Sequence, residues 1–281
     1  MTDPGSPSSS AIRSCYRHSG RETRLSCSEC GRPICVDCAV DAAVGQKCPE
    51  CSAPDGRHRV IDRAEIKGQV RGATPFTYAL IGINVMVFLA GQSSPDLGRR
   101  LILDFAHHPD LVAGGDWYRL VTAMFLHGSV MHLLFNSWAL WLFGSSIERR
   151  FGSPSFLALY LASGIAGSTA YQLTGSSFAV GASGAIFGLF GALLAATYRQ
   201  RHTPAGRAAF GQLAMLLAIN LALPLLVPGI AWQAHLGGLV AGMVVAAGWA
   251  RLPLAGGGSG GRRVAVAFAV LVVAAAVALL L

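Results

Sequence analysis

The stretch "VGASGAIFGLFGA", Val180 to Ala192, is apolar except for one hydroxyl, Ser183, and carries glycine at 181, 184, 188 and 191. Glycine repeated along an apolar helix lets two helices touch inside a bilayer, so the plain reading makes Ser183 a small packing residue. The sharper reading makes it a nucleophile. Deciding between them needs support from elsewhere in the chain.

Composition places the stretch in a membrane. The 281 residues are 53% hydrophobic and 13% charged, with a mean hydropathy of +0.50, too apolar for an ordinary soluble protein. Polar chemistry is concentrated at one end. Residues up to Arg71 hold all seven cysteines, eleven of the 22 Lys+Arg and nine of the 14 Asp+Glu, and no carboxylate follows Glu148. This divides the chain into a small polar module and a membrane domain. The net charge of +8 does not imply nucleic acid, because the basic residues of the second part fall in short loops between apolar runs. The opening "MTDPGSPSSS" reads as disorder over residues 1–12 and not as a signal peptide. The cysteine-rich module is therefore expected in the cytoplasm, where thiols stay reduced and bind metal.

In that module, over residues 13–55, ligand spacing is regular. Cys15-x-x-His18 is followed by Cys27-x-x-Cys30, Cys35-x-x-Cys38 and Cys48-x-x-Cys51. Four pairs make eight ligands, enough for two tetrahedral zinc ions, and no cysteine is left over. Such sites have no open coordination position, so this is read as a protein-interaction or regulatory module and not a catalytic one. The spacing resembles a B-box-type zinc finger, or more widely the RING-like cross-brace group. That resemblance implies that the first and third pairs share one ion and the second and fourth the other; sequential pairing is the alternative. His58 could substitute as a ligand but reads better as a lone surface histidine. A basic linker, 56–74, with five Lys/Arg between Arg57 and Arg71, is expected to lie against anionic lipid.

Seven apolar segments follow, at Phe76–Gly91, Val130–Ile147, Ser155–Leu173, Ala182–Tyr198, Ala208–Leu223, Trp232–Ala250 and Val264–Leu281. The expected fold is an all-α bundle of seven transmembrane helices. Arg149 and Arg150, then Arg199, Arg201 and Arg207, then Arg251, Arg262 and Arg263 mark alternate loops as cytoplasmic, leaving the N-terminus inside and the C-terminus outside. The loop Gln92–Ser129 is then external, and its length suggests a function.

This topology levels the polar residues. Ser183 lies in the first turn of span four, His235 one turn into span six, His132 in the first turn of span two and Asn136 one turn deeper. All three spans enter from outside, so four costly polar residues share one depth. A metalloprotease would need HExxH, and none exists; an aspartyl mechanism would need two intramembrane aspartates, and no span has one. A Ser183–His235 dyad remains, with the imidazole as general base. No carboxylate follows His235 to complete a triad. His132, Asn136 and the Ser183 amide are candidate oxyanion donors.

"WYRLVTAMFLHGSVMHLLFN", "GASGAIFG" and "AHLGGLVAG" together resemble the signatures of the rhomboid intramembrane serine proteases, from about Phe76 to Ala250. The resemblance implies Ser183 as nucleophile, His235 as base, and His132 with Asn136 at the oxyanion hole. It further implies that Gly181 and Gly184 shape the turn at the serine, that Gly238 and Gly242 press span six on span four, and that Glu148 is structural. Trp117 and Arg119 would anchor the external loop, although Tyr118 separates them where many members have adjacent Trp-Arg. Phe187 stands where Tyr is common, able to stack but without the hydroxyl. Ala182 occupies the position that is proline in inactive rhomboid-like proteins. His127 is read as loop-positioning. The rhomboid domain is set at 75–252, then a Gly-rich linker, 253–263, and a seventh helix, 264–281, giving the six-plus-one form. Implied partners are transmembrane protein substrates, the bilayer of a bacterial plasma membrane and a cytoplasmic protein for the zinc module. Two other classes stay open here: a membrane adaptor without turnover, and a channel or transporter using the polar cluster.

Overall fold

The computed structural model describes residues 12–42, 45–52, 74–227, 229–252 and 258–280. The expected N-terminal disorder (apart from Ile12), His58 and the basic linker (apart from Thr74) lie outside the described residues, as does 253–257 of the Gly-rich linker. The chain divides into two compact units, Met1–Arg71 and Gly72–Leu281.

The first unit is built from two antiparallel ribbons. β1 (Arg13–Ser14) pairs with β2 (Glu22–Thr23), and β3 (Val40–Asp41) with β4 (Gln46–Lys47). A helical turn, α1 (Pro49–Ser52), follows. Its buried core is Ile34 and five cysteines, Cys15, Cys27, Cys35, Cys38 and Cys48. So few apolar side chains cannot offset the ordering of the chain.

The second unit is helical throughout. α2 (Pro75–Ser93) leads to three short helices, α3 (Pro95–Phe105), α4 (Pro109–Ala113) and α5 (Arg119–Thr122). Then come α6 (Val130–Phe151), α7 (Ser153–Thr174), α8 (Ser183–Arg199), α9 (Pro204–Leu226), α10 (Trp232–Trp249) and α11 (Ser259–Leu279). Start signals are explicit. Proline occupies the first turn of α2, α3, α4, α7 and α9, where its missing N–H donor would have had no intrahelical acceptor. Ser94, Ser129 and Thr203 cap α3, α6 and α9 through their hydroxyls. Gly152, at φ +83°, ends α6 in a conformation other residues adopt only with strain.

Two details depart from the sequence expectation. The segment between α2 and α6, expected to be external, is not a simple connector but carries α3, α4 and α5, whose short lengths give no span-like signal. The seventh helix starts at Ser259, ahead of Val264. Gly260 and Gly261 are poor helix formers, but packing overrides propensity: Ser259 and Arg263 are buried, and the Trp249 indole N–H donates to the Arg263 carbonyl at 2.9 Å.

α8 is the central helix, packed against α7 and α10. By length and composition, α2, α6, α9 and α11 are long and apolar enough to cross a membrane. The inner helices α7, α8 and α10 are less apolar or shorter, because they spend their surface on one another. Their contacts use glycine: a Cβ at Gly238 would overlap the Gly184 carbonyl oxygen, and one at Gly242 the Gly188 carbonyl oxygen. The backbones therefore touch directly. α9 sits apart, burying only Gly206 and packing chiefly on α8. Midway along α6, Leu140–Gly144 forms a π turn. Beyond it, the buried Glu148 carboxylate accepts from Phe76 N (3.1 Å), Thr77 N (2.9 Å), Thr77 Oγ1 (2.7 Å) and Ser153 Oγ (2.7 Å). A negative charge thus sits on the N-terminus of α2, where its dipole favours it.

Candidate active site and metal centres

Ser183 is the first residue of α8 and His235 the fourth of α10. With glycine at the crossing, these helices approach closely enough for a side-chain bond, and Ser183 Oγ lies 2.8 Å from His235 Nε2. The Phe187 ring, one turn along α8, stacks on the imidazole with centroids 4.2 Å apart and planes 8° from parallel. His235 Nδ1 is buried and has no hydrogen-bond partner among the described residues. The ring is therefore oriented by stacking and by its serine, in place of a carboxylate.

The oxyanion candidates converge on the same point. Gly181 has φ +127°, and a Cβ built there would lie 2.6 Å from His132 Nε2 and 3.7 Å from Asn136 Nδ2. Both donors thus face the backbone two residues ahead of Ser183. Helix geometry leaves the first N–H groups of α8 without intrahelical acceptors at the same end. His127 stands edge-on to His132, with centroids 5.1 Å apart.

The segment before Ser183 is held by backbone bonds. His107 and Ala179 exchange N–H···O bonds of 3.0 and 2.9 Å, and Gly181 N donates to the Ala123 carbonyl at 2.9 Å. Arg119, buried, fixes the loop that supplies these partners: Nε donates to Asp116 Oδ2 (2.9 Å) and Nη1 to the carbonyls of Leu103 (2.8 Å) and Ala106 (3.0 Å). Trp117, by contrast, is exposed. Sequence reasoning gave no place to His107, because its position depends on pairing with Ala179, 72 residues away. A histidine ahead of a proline in a polar loop gave no signal by itself.

In the first unit, Cys15, His18, Cys35 and Cys38 form one cluster and Cys27, Cys30, Cys48 and Cys51 the other, each with its ligand atoms within 4.8 Å of one another. This is the cross-braced order, first pair with third and second with fourth. His18 Nδ1 lies 3.4 Å from Cys35 Sγ, 3.4 Å from Cys38 Sγ and 3.9 Å from Cys15 Sγ, and Cys30 Sγ lies 3.8 Å from Cys48 Sγ. A tetrahedron with zinc–sulfur bonds of about 2.3 Å has edges of about 3.8 Å, so both clusters fit a tetrahedral ion. Without one, the thiols of each cluster do not all ionise readily: against desolvation, backbone hydrogen bonds lower Cys15 and Cys27 to about 6, whereas desolvation and hydrogen bonds with Cys35 and Cys15 push Cys38 up to about 11. The Cys48 hydrogen bond, then desolvation, raises Cys51 as well. A divalent cation removes that penalty.

The family model described as Rhomboid domain matches residues 114–252. Rhomboid protease AarA of Providencia stuartii is 31% identical over 220 residues, which cover 67% of this chain and 78% of AarA. The chain belongs to the rhomboid family. It is a multi-pass membrane protein, as the sequence resemblance implied. Rhomboid protease GluP of Bacillus subtilis is 38% identical over 187 residues, 66% of this chain but only 36% of GluP. RHOMBOID-like protein 5 of Arabidopsis thaliana is 37% identical over 163 residues, 55% of this chain and 50% of that protein. The matched Rhomboid domain contains Ser183, His235, His132 and Asn136 together.

Proposed function

We propose that this chain is an intramembrane serine endopeptidase that cleaves transmembrane protein substrates at or near the outer ends of their membrane segments. The observation that carries the reading is the 2.8 Å Ser183–His235 bond, at a helix end that also gathers His132 and Asn136. The names of the rhomboid protease relatives support it.

In the proposed reaction, Ser183 Oγ attacks the scissile carbonyl carbon while His235 Nε2 takes its proton. The oxygen acquires negative charge opposite His132, Asn136 and the free N–H groups of α8. The C–N bond breaks, His235 returns the proton to the leaving amine, and an ester remains on Ser183. Water then attacks that ester, His235 takes a proton from it, and Ser183 is released with the proton. Packing against Phe187 keeps the ring in register through both halves. The four-cysteine and three-cysteine-one-histidine clusters hold one zinc ion each and fold a cytoplasmic protein-interaction module. The domain boundaries are the zinc module at 13–55 and the rhomboid domain at 75–252. The N-terminus is cytoplasmic, the C-terminus external, and the site opens at the outer face of a bacterial plasma membrane.

The test is cleavage of a model single-span substrate by purified protein in liposomes. Ser183→Ala and His235→Ala are expected to reduce cleavage by at least about a thousandfold, and a fluorophosphonate should label Ser183 in the parent. Parent-like cleavage by Ser183→Ala would overturn the dyad.

A further inference from the structure

Arginines gather where three helices meet, at the opposite end of α6 from Asn136. α6 closes on Arg149, Arg150 and Phe151, Arg251 follows the end of α10, and α11 opens through Arg262 and Arg263. Phe151 is their common pedestal. The Arg150 guanidinium lies 5.6 Å from its ring centre and that of Arg263 5.4 Å, so the two charges are no further apart than those distances together. Trp249 packs on the same ring, with centroids 5.0 Å apart, and its indole N–H holds the Arg263 carbonyl. Arg263 is buried, whereas Arg149, Arg150, Arg251 and Arg262 are exposed.

Negative charge is scarce around this cluster. No Asp or Glu follows Glu148 in the chain, and the Glu148 carboxylate already accepts from Phe76, Thr77 and Ser153. Among the described residues, the guanidiniums of Arg149, Arg150, Arg251 and Arg262 have no hydrogen bond or ion pair. Arg262 also lies in the opening turns of α11, where the helix dipole opposes a cation and favours an anion. The basic loop after α8 differs, because two of its cations are spent on its own backbone. Arg201 Nη1 donates to the Tyr198 carbonyl at 2.9 Å, with its guanidinium 3.9 Å from the Tyr198 ring centre, and Arg207 Nε donates to the Arg201 carbonyl at 3.4 Å.

α6 and α11 are long and apolar enough to cross a membrane, which puts their ends at the level of the lipid headgroups. We propose that Arg150, Arg251 and Arg262, backed by the Phe151–Trp249 pair, bind the headgroup phosphate of an anionic phospholipid. Guanidinium N–H groups form a planar fork that matches phosphate oxygens. Because each arginine comes from a different helix end, one headgroup ties the start of α11 to the ends of α6 and α10 and offsets the repulsion among the cations. The site is remote from Ser183 and does not depend on the protease reading.

The test is thermal unfolding of delipidated full-length protein in detergent, titrated with phosphatidylglycerol, phosphatidylcholine or inorganic phosphate. Phosphatidylglycerol should raise Tm saturably, and the other two should leave it unchanged. Arg150→Gln/Arg251→Gln should need roughly thirtyfold more phosphatidylglycerol for the half-maximal shift. Arg150→Lys/Arg251→Lys, which keeps the charges, should stay within about fivefold of the parent. Arg199→Gln/Arg207→Gln removes two charges from the other basic loop and should match the parent within about twofold. A cooperative melt without lipid shows that a variant is folded; if the first is not, Arg251→Gln/Arg262→Gln makes the same comparison. An equal shift with phosphatidylcholine, or a parent-like titration of the folded Gln variant, overturns the proposal. An equal shift with inorganic phosphate overturns the lipid assignment in favour of a free anion. An equal loss in Arg199→Gln/Arg207→Gln overturns the site in favour of diffuse surface charge.

Discussion

The two units of this chain answer the same problem, burying too little ordinary core, in opposite ways. Among the described residues the first unit has one buried aliphatic side chain, Ile34, among its cysteines, beside eight Cys and His ligand atoms that two metal ions could join. The second has apolar residues everywhere, so burial in a lipid environment distinguishes little. There cohesion comes from backbones in contact at Gly184, Gly188, Gly238 and Gly242, and from isolated polar clasps such as Glu148. One unit gathers candidate metal ligands where the other omits side chains.

Metal removal should break the comparison most widely. A strong chelator is expected to take up close to two zinc ions per full-length chain. Residues 12–52 should then become protease-sensitive, since binding free energies of about 10–16 kcal/mol are folding energy for structural zinc sites. Ser183 labelling should persist in the same sample. Mass spectrometry of the fragments and metal analysis check this, and a single zinc per chain would refute the eight-ligand arrangement.

Gly242→Ala probes the other unit. The added methyl would meet the Gly188 carbonyl oxygen, so one helix must shift, at an expected cost of about 1–3 kcal/mol. Thermal unfolding in detergent should fall by the same amount with and without chelator, and substrate cleavage should fall with it. A Tm drop that depends on chelator would mean the units share their stability.

Phe187 gives the smallest effect. Phe187→Ala loses a ring stack worth about 0.5–1.5 kcal/mol, and a kcat loss of roughly threefold to tenfold is expected. Phe187→Tyr should retain most of the rate. Equal rates for Ala and parent would show that something else orients His235.

Legibility followed the same division. The Cys/His clusters and the Ser183–His235 pair were readable because their chemistry is carried by residue type and local spacing, Cys-x-x-Cys in one unit and GASGAIFG with AHLGG in the other. The cross-braced pairing matched the family-type implication, while spacing alone left a sequential alternative. The bundle was readable from hydropathy, although the inner helices α7, α8 and α10 signal less strongly because their small and polar residues serve helix contacts. What stayed hidden depends on partners distant in sequence. The short helices α3 to α5 are held by Arg119 and backbone bonds, the start of α11 by Trp249 and burial of Ser259, and His107 by Ala179. None of these pairs has a local pattern.

The π turn in α6 has a consequence for phase. Asn136 and Glu148 are twelve residues apart, which at 100° per residue would set them about 120° apart around a plain α-helix. A π turn absorbs about one extra residue, leaving eleven ordinary steps, or about 20° beyond three full turns. Leu140 and Gly144, buried at intervals of four between them, mark the same line, with Ser145 and Ile147 buried beside it. One helix therefore keeps a single inward meridian along its length, with Asn136 at one pole and the Glu148 clasp on α2 at the other. Removing one residue between Leu140 and Gly144 would convert the π turn to plain α-helix and leave Glu148 on the same side as Asn136.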